Sequence, residues 1–270
     1  MTSKLAESQP LQDRAFYQRE GYLIVEELLS GPDLERLQQI VLEAEDRDEF
    51  LPQDDQREHR HQLTPEYKAV LRNIKDPGRS YPFLSELAER VLAPVAKNLL
   101  DVEHVRFFHD RILIKEPESS GGRATPWHQD SPRLPFDRRD FLTVWVAAEN
   151  VPLEQGPLSF VPRSHRLGPV GAMFIEREDI EDIGKLLKTT DMEFVGNPVA
   201  SALPAGGASF HAGYMMHRAN ANTSDKRRRA WAVSFFDADA MYTGVPHADL
   251  EGVDIEPFQT FPSERFPIMS

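Results

Sequence analysis

His104-Val105-Arg106-Phe107-Phe108-His109-Asp110-Arg111-Ile112-Leu113-Ile114 marks a change of texture in this chain of 270 residues. From here on, short β-rich runs alternate with Gly, Pro, Asn and Asp turn signals. Phe141-Leu142-Thr143-Val144-Trp145-Val146 is the second run and Leu158-Ser159-Phe160-Val161 the third. Phe194-Val195, Ala208-Ser209-Phe210-His211 and Tyr214-Met215-Met216 read as shorter strands, and Ala230 to Phe236 closes the series. Several short strands punctuated by turns predict an antiparallel sandwich or jelly roll. Upstream the pattern is helical. Leu11 to Arg19 is a short amphipathic segment, followed by an apolar strand, Tyr22-Leu23-Ile24-Val25. Ser30-Gly31-Pro32-Asp33 starts a helix in which Leu34, Leu37, Ile40, Val41 and Ala44 recur at helical spacing. Thr64-Pro65-Glu66 and Ser80-Tyr81-Pro82 look like two further helix starts. The expected organisation is one domain over 1–270: a mainly helical part over 1–103, a β core over 104–238 with a polar, helix-like insertion at 163–190, and a Pro-rich acidic tail over 239–270 wrapping the surface. Residues 45–66, with His59 and His61, read as a charged loop.

The formal net charge is −13, with 40% hydrophobic and 28% charged residues, which is ordinary for a soluble globular protein. An acidic balance argues against a nucleic-acid partner, since phosphate binding requires a basic stripe. No apolar run approaches the roughly 20 residues that span a bilayer, and no secretory signal is visible. A cytoplasmic protein acting on a small molecule is expected; the oligomeric state is not legible. Cysteine is absent, which removes disulfide scaffolds, thiolate metal sites and Cys nucleophiles together. Any metal must sit on His, Asp or Glu, and the chain has nine His.

Side chains at i and i+2 of a strand share a face, so His-x-Asp is the smallest pair of metal ligands a strand can offer. It occurs twice, as His128-Gln129-Asp130 and His247-Ala248-Asp249. About 0.7 such pairs are expected by chance in this composition, so context must separate them. The second lies in Pro-flanked tail sequence with no His downstream and reads as a surface loop. The first lies between two β-runs, and His217 follows it. Two His and one carboxylate with open positions form the facial triad of non-haem Fe(II) oxygenases. In such an enzyme 2-oxoglutarate chelates the iron by its keto-acid end, O₂ takes the last position, and a cation must hold the distal carboxylate. Arg228 lies 11 residues after His217 on the next β-run, and an Arg fork fits a carboxylate better than Lys does. On a strand, Arg227 and Arg229 would face away from Arg228. His211 rivals His217 as a ligand; otherwise it is a core or pocket residue.

At this point the chain resembles the phytanoyl-CoA dioxygenase family of Fe(II)/2-oxoglutarate oxygenases. Phe16 through Tyr22-Leu23-Ile24-Val25 and Leu28-Leu29 is similar to the family's N-terminal pattern, and Thr125-Pro126-Trp127-His128-Gln129-Asp130 to its proximal metal segment. Gln155-Gly156-Pro157-Leu158-Ser159-Phe160-Val161-Pro162-Arg163-Ser164-His165 resembles a third segment, with Gln155 for the usual Asn and Arg163 for the usual Gly. Ser209-Phe210-His211, His217, Asn220, Asn222, Thr223, Ser224 and Arg228-Arg229-Ala230 resemble the distal segment. The resemblance implies an α+β, mainly β fold: a double-stranded β-helix (jelly roll, cupin-like) with flanking N-terminal helices. It implies His128, Asp130 and His217 as iron ligands and Arg228 as the 2-oxoglutarate anchor. It also implies Trp145 as a cosubstrate-pocket residue, and Thr143, on the same strand face, joins it. Halogenating relatives have a small residue in place of the carboxylate ligand, so Asp130 favours hydroxylation, with succinate and CO₂ as coproducts. Trp127, Arg133, His211, Met215 and Arg218 flank the site residues and are candidate substrate contacts. Two other readings stay open: a cupin-like metalloenzyme that does not use 2-oxoglutarate, and a non-catalytic binding module.

Overall fold

Ten residues, Arg228–Asp237, form the strand on which the fold is built (β10 below). The computed structural model describes residues 9–47, 71–170 and 187–269. In chain order the strands are β1 (Tyr22–Val25), β2 (Arg72–Lys75), β3 (Val105–Lys115), β4 (Thr125–His128), β5 (Phe141–Ala147), β6 (Leu158–Phe160), β7 (Val199–Ala200), β8 (Ala208–Ala212), β9 (His217–Ala219), β10 (Arg228–Asp237) and β11 (Ile268–Met269). They make two antiparallel sheets. The larger has the order β1-β8-β5-β10-β3-β11, with β2 also paired to β3; the smaller has the order β4-β9-β6-β7. The helices are α1 (Gln9–Glu20), α2 (Gly31–Asp46), α3 (Pro77–Ser80), α4 (Pro82–Leu87), α5 (Ala93–Leu100) and α6 (Thr189–Phe194). A π-helical turn, Ala88–Leu92, joins α4 to α5.

β10 is buried on both faces, so its sequence is nearly continuously apolar rather than alternating. Trp231, Val233 and Phe235 face the helices and pack with Leu37, Ile40, Leu84 and Leu99. The opposite parity faces the smaller sheet, where Ala230 and Ala232 meet Trp145, Leu158 and Phe160. Small residues on this inner face leave room for a cavity. The β10–β3 register pairs Ser234 with His109 but Phe235 with Phe107, so Phe108 is an extra residue on β3. This bulge sends Phe108 into a separate cluster with Phe236, Phe261 and Phe266, and leaves His109 on the cavity side.

Several expectations are corrected here. Phe194-Val195 is not a strand: Phe194 ends α6, whose start is held by Asp191 Oδ2 accepting the Lys188 N–H. Tyr214-Met215-Met216 is a turn, closed by Met215 N donating to Ala212 O at 2.8 Å, and the pairing strand begins at His217. The tail does more than wrap the surface. Phe261 and Phe266 are buried and β11 pairs with β3. Glu45 is not part of a loop but the buried last turn of α2. Residues 48–66 of the charged segment, with His59, His61 and the helix start at Thr64-Pro65-Glu66, and residues 171–186 of the insertion lie outside the described residues. No helix among the described residues is long and apolar enough to cross a membrane.

Candidate active site

β4 and β9 pair so that His128 stands directly opposite His217, with ring centroids 4.1 Å apart. Each imidazole is oriented by its own strand. His128 Nδ1 bonds to the carbonyl of Pro126 at 2.9 Å, and His217 Nδ1 to that of Met215 at 3.0 Å. A carbonyl only accepts, so both rings carry hydrogen on Nδ1 and turn Nε2 toward Asp130. Both Nε2 atoms lie 3.8 Å from Asp130 Oδ1. Among the described residues these three form the cluster of ligand-type side chains able to hold a metal ion, with ligand atoms within 4.8 Å of one another.

Asp130 follows β4 in a turn fixed by backbone contacts. The N–H groups of Asp130 and Ser131 both donate to Gly213 O, at 3.0 and 2.8 Å. A Cβ on Gly213 would lie 1.8 Å from Ser131 Oγ, so only glycine fits there. Gln129, between the two ligand-type residues, locks the turn from the other side. Its amide nitrogen donates to Gly168 O and Tyr214 O, and its oxygen accepts from Val170 N. Burial by itself would raise the Asp130 pKa. The histidines His217, His211 and His128 around it outweigh burial and hold the carboxyl well below the usual carboxylate range. Burial, aided by His211, pushes His217 down to about 4. At neutral pH Asp130 is therefore an anion and His217 a neutral imidazole, the forms that bind a metal.

These groups open into a cavity of ≈ 270 Å³. Thr143, Trp145, His211 and Arg228 line it from the larger sheet, together with His109, Arg111 and Ser234. Arg228 is buried and donates through Nη1 to Gly156 O, and its guanidinium lies over the Trp145 ring. Burial lowers its pKa to about 10, which leaves it cationic at neutral pH. Its neighbours point the other way, as strand alternation requires: Arg227 pairs with Glu116 and Glu45, and Arg229 with Glu45 and Glu149. Asn222 shapes the turn that delivers Arg228, with Nδ2 donating to Lys226 O at 2.6 Å and Oδ1 accepting from Ser224. Lys115, opposite Arg228 on β3, is buried and donates to Thr125 Oγ1; burial and then Arg228 push its pKa well below the usual lysine value.

The candidate substrate residues separate. His211 lines the cavity, with Nε2 3.4 Å from Asp130 Oδ2. Trp127, Met215 and Arg218 are not part of the lining. Trp127 and Arg218 alternate with His128 and His217 on their strands and so face away; the Arg218 guanidinium lies 4.8 Å from the Trp127 ring centroid. Met215 is buried against Ser164, whose hydroxyl meets its sulfur at 3.2 Å. Arg133 ends the turn Ser131–Arg133, but its side chain lies outside what is described.

Sequence reasoning missed a second polar group. His109 Nδ1 bonds to Asp249 Oδ2 at 2.8 Å, Arg111 Nη2 lies 3.6 Å from the same oxygen, and the Asp249 N–H donates to His247 Nδ1. His109, Arg111 and His247 all line the cavity. The His247-Ala248-Asp249 segment is therefore not a free surface loop: Asp249 is buried and tied to β3. A carboxylate matched to a His on a distant strand leaves no local sequence signal.

Two antiparallel sheets enclose a two-histidine, one-carboxylate cluster able to hold a metal ion, beside a buried arginine. The chain belongs to the phytanoyl-CoA dioxygenase (PhyH) family, whose sequence model matches residues 17–230. A phytanoyl-CoA dioxygenase domain-containing protein 1 homolog from Caenorhabditis elegans is 33% identical over 130 residues, covering 45% of this chain and 43% of the relative. That match spans less than half of either protein. The Danio rerio phytanoyl-CoA dioxygenase domain-containing protein 1 is 26% identical over 270 residues, covering 84% of this chain and 90% of the relative. Among solved structures, the non-heme alpha ketoglutarate dependent carbocyclase SnoK from nogalamycin biosynthesis is similar at a TM-score of 0.75 and 25% identity, covering 99% of this chain and 97% of that one. The epimerase SnoN, in complex with Fe3+, alpha ketoglutarate and nogalamycin RO, is similar in fold at a TM-score of 0.78 and 23% identity, covering 98% and 100%.

Proposed function

We propose that this protein is an Fe(II)- and 2-oxoglutarate-dependent dioxygenase that hydroxylates an unactivated C–H bond of a small organic substrate. The fold that fits this reading is a double-stranded β-helix, forming one oxygenase domain with its helices. The observation that carries the proposal is Asp130 Oδ1 at 3.8 Å from both His128 Nε2 and His217 Nε2, in a cavity that Arg228 also lines.

The residues fit both groups. Two imidazoles and one carboxylate are the donor set suited to non-haem Fe(II), and leave positions open. Arg228 Nε and Trp145 Nε1 are buried with no hydrogen-bond partner among the described residues. Unmet buried donors carry a desolvation cost, and a carboxylate seated at Arg228 would relieve it. When bound, the iron and 2-oxoglutarate supply oxidative decarboxylation by O₂, yielding succinate, CO₂ and the oxidising equivalent for the substrate. The protein's part is orientation. Pro126 and Met215 carbonyls aim the two Nε2 atoms, Thr143 Oγ1 donates to Asp130 Oδ2 at 3.2 Å and leaves Oδ1 for the metal, and Arg228 orders the cosubstrate. Leu113, Leu134, Phe141 and Leu158 supply apolar wall that limits water. A carboxylate at position 130 favours hydroxylation over halogenation.

The test is succinate release with Fe(II), 2-oxoglutarate, O₂ and a substrate panel. Turnover is expected to require Fe(II) and 2-oxoglutarate and to be abolished in His128→Ala, Asp130→Ala and His217→Ala. Unchanged succinate release in Asp130→Ala would sink the proposal.

A further inference from the structure

The polar cluster at the tail side of the cavity has a hydrogen count that does not close. Its contacts run as a chain: Asp249 Oδ2 to His109 Nδ1 at 2.8 Å, His109 Nε2 to Ser234 Oγ at 3.3 Å, Ser234 Oγ to Thr143 Oγ1 at 3.1 Å, and Thr143 Oγ1 to Asp130 Oδ2 at 3.2 Å. Both ends are carboxylates, which accept. Burial opposes ionisation of Asp249, but His109, Arg111 and His247 hold its carboxyl well below the usual range. His109 therefore gives its Nδ1 hydrogen to Asp249. Burial and Arg111 push the His109 pKa down, against Asp249 and Asp76, so Nε2 carries a lone pair. Between Nε2 and Asp130 stand three contacts and only two hydroxyl hydrogens, those of Ser234 and Thr143. Ser234 can donate to Thr143 or to His109, but not to both. The chain is one donor short, and a donor reaching His109 Nε2, on the cavity wall, would complete it. Two residues along the same strand face, Arg111 has the opposite need: its Nη1 is a buried donor with no acceptor among the described residues.

We propose that the substrate carries a hydroxyl group that docks here, donating to His109 Nε2 and accepting from Arg111 Nη1. The inference rests on the cavity being the substrate cavity of the oxygenase proposed above. Of the common polar groups, a hydroxyl meets both needs at once. It supplies the missing hydrogen, which frees Ser234 to donate to Thr143, and Thr143 to Asp130. A carboxylate satisfies Arg111 only, and meets the His109 lone pair and the Asp249 anion. An ether accepts but does not donate. His109 and Arg111 lie within the matched 17–230, whereas Asp249 and His247, which set the protonation of His109, come from the tail outside it.

The experiment measures binding of three probes by calorimetry: 2-phenylethanol, its methyl ether and phenylacetate. It uses the full-length protein, metal-free and again loaded with Co(II) and 2-oxoglutarate. The alcohol is expected to bind at least tenfold tighter than either analogue. His109→Phe should reduce the alcohol-to-ether ratio to near one, and Arg111→Met should weaken alcohol and ether alike. Equal affinities, no binding of any probe, phenylacetate binding tightest, or a ratio unchanged in His109→Phe would each overturn the inference. Absence of Co(II) binding with the alcohol preference intact would instead overturn the oxygenase reading and leave the hydroxyl site standing.

Discussion

The guanidinium carbon of Arg228 lies 5.1 Å from the centroid of the Trp145 ring, on the adjacent strand of the larger sheet. The ring holds the cation by its face, worth about 1–2 kcal/mol when desolvated, and leaves the edge of the fork for a ligand. Arg228→Met is therefore expected to weaken 2-oxoglutarate binding by about 100-fold, the loss of a charge-assisted pair of hydrogen bonds. Trp145→Phe keeps a ring face but a weaker one, and should cost only a few-fold. Titration of the Fe(II)-loaded protein with 2-oxoglutarate under anaerobic conditions separates the two. Wild-type affinity in Arg228→Met would return the cupin-like reading without 2-oxoglutarate to the front.

Gly213 accepts from both Asp130 and Ser131, and a Cβ there would sit on Ser131 Oγ. Gly213→Ala is expected to destabilise the protein by about 1–3 kcal/mol, the usual cost of overpacking, and to displace Asp130. Chemical denaturation and Co(II) titration should both report it. Pairing the change with Ser131→Ala removes one of the clashing atoms and should restore part of both. Phe141 Cδ1 still lies 2.7 Å from the added Cβ, so recovery is expected to be incomplete.

The contrast between the two His-x-Asp pairs shows what was legible. His128 and Asp130 could be singled out because their partners lie in neighbouring runs of recognisable strand, and alternation then assigns a face to His217 and Arg228. The same alternation, applied to Trp127 and Arg218, turns them away from the cavity; nearness in sequence to a site residue is a poor guide when successive side chains face opposite ways. His247 and Asp249 misled for a different reason. Their burial depends on the tail folding back through Phe261 and Phe266 onto Phe108, a contact between segments more than a hundred residues apart. Phe108 in turn reaches that cluster because of a bulge, and bulges leave little trace in composition. The turn at Tyr214-Met215-Met216 failed as a strand because three large residues after Gly213 look β-rich, while the decisive feature is the space Ser131 denies to any side chain at 213.

Asp110 sits on the helix side of β3, where its Oδ2 accepts from Trp231 Nε1 and from Gly78 N, both at 3.0 Å. Burial pushes its pKa up to about 7, against those two donors, from an ordinary value of 3.8. The native state thus holds a proton that the unfolded chain has released. The resulting stabilisation is fully present below pH 4 and is lost as pH rises through 7. Asp110→Asn keeps one oxygen able to accept both hydrogen bonds and has no charge to bury. It is expected to flatten the decline in stability between pH 4 and 8, and to be more stable than wild type at pH 8 by a few kcal/mol, on the order of the pKa shift it removes. Guanidinium unfolding at pH 5 and pH 8 tests this; an unchanged slope in the variant would place the pH dependence elsewhere.

Glu45 joins the end of α2 to the strand that carries Arg228. Its side chain is 6% exposed, and it accepts from Arg227 Nη1 at 2.7 Å and from Arg229 Nε. Removing one partner of a buried ion pair costs about 3–5 kcal/mol when the other is left uncompensated. Here Arg227 keeps Glu116 and Arg229 keeps Glu149, so Glu45→Ala should cost less, about 2 kcal/mol, and Glu45→Gln about half of that. The larger consequence is local. Arg227 and Arg229 flank Arg228 and pin its strand from the outer face, so loosening them lets the inward guanidinium wander from Trp145 and Gly156. Glu45→Ala is expected to raise the KM for 2-oxoglutarate several-fold while kcat at saturating 2-oxoglutarate stays near wild type. A lowered kcat with unchanged KM would mean that Glu45 acts on the chemistry by another route, and a fall in stability with neither parameter altered would confine its role to holding α2 on the sheet.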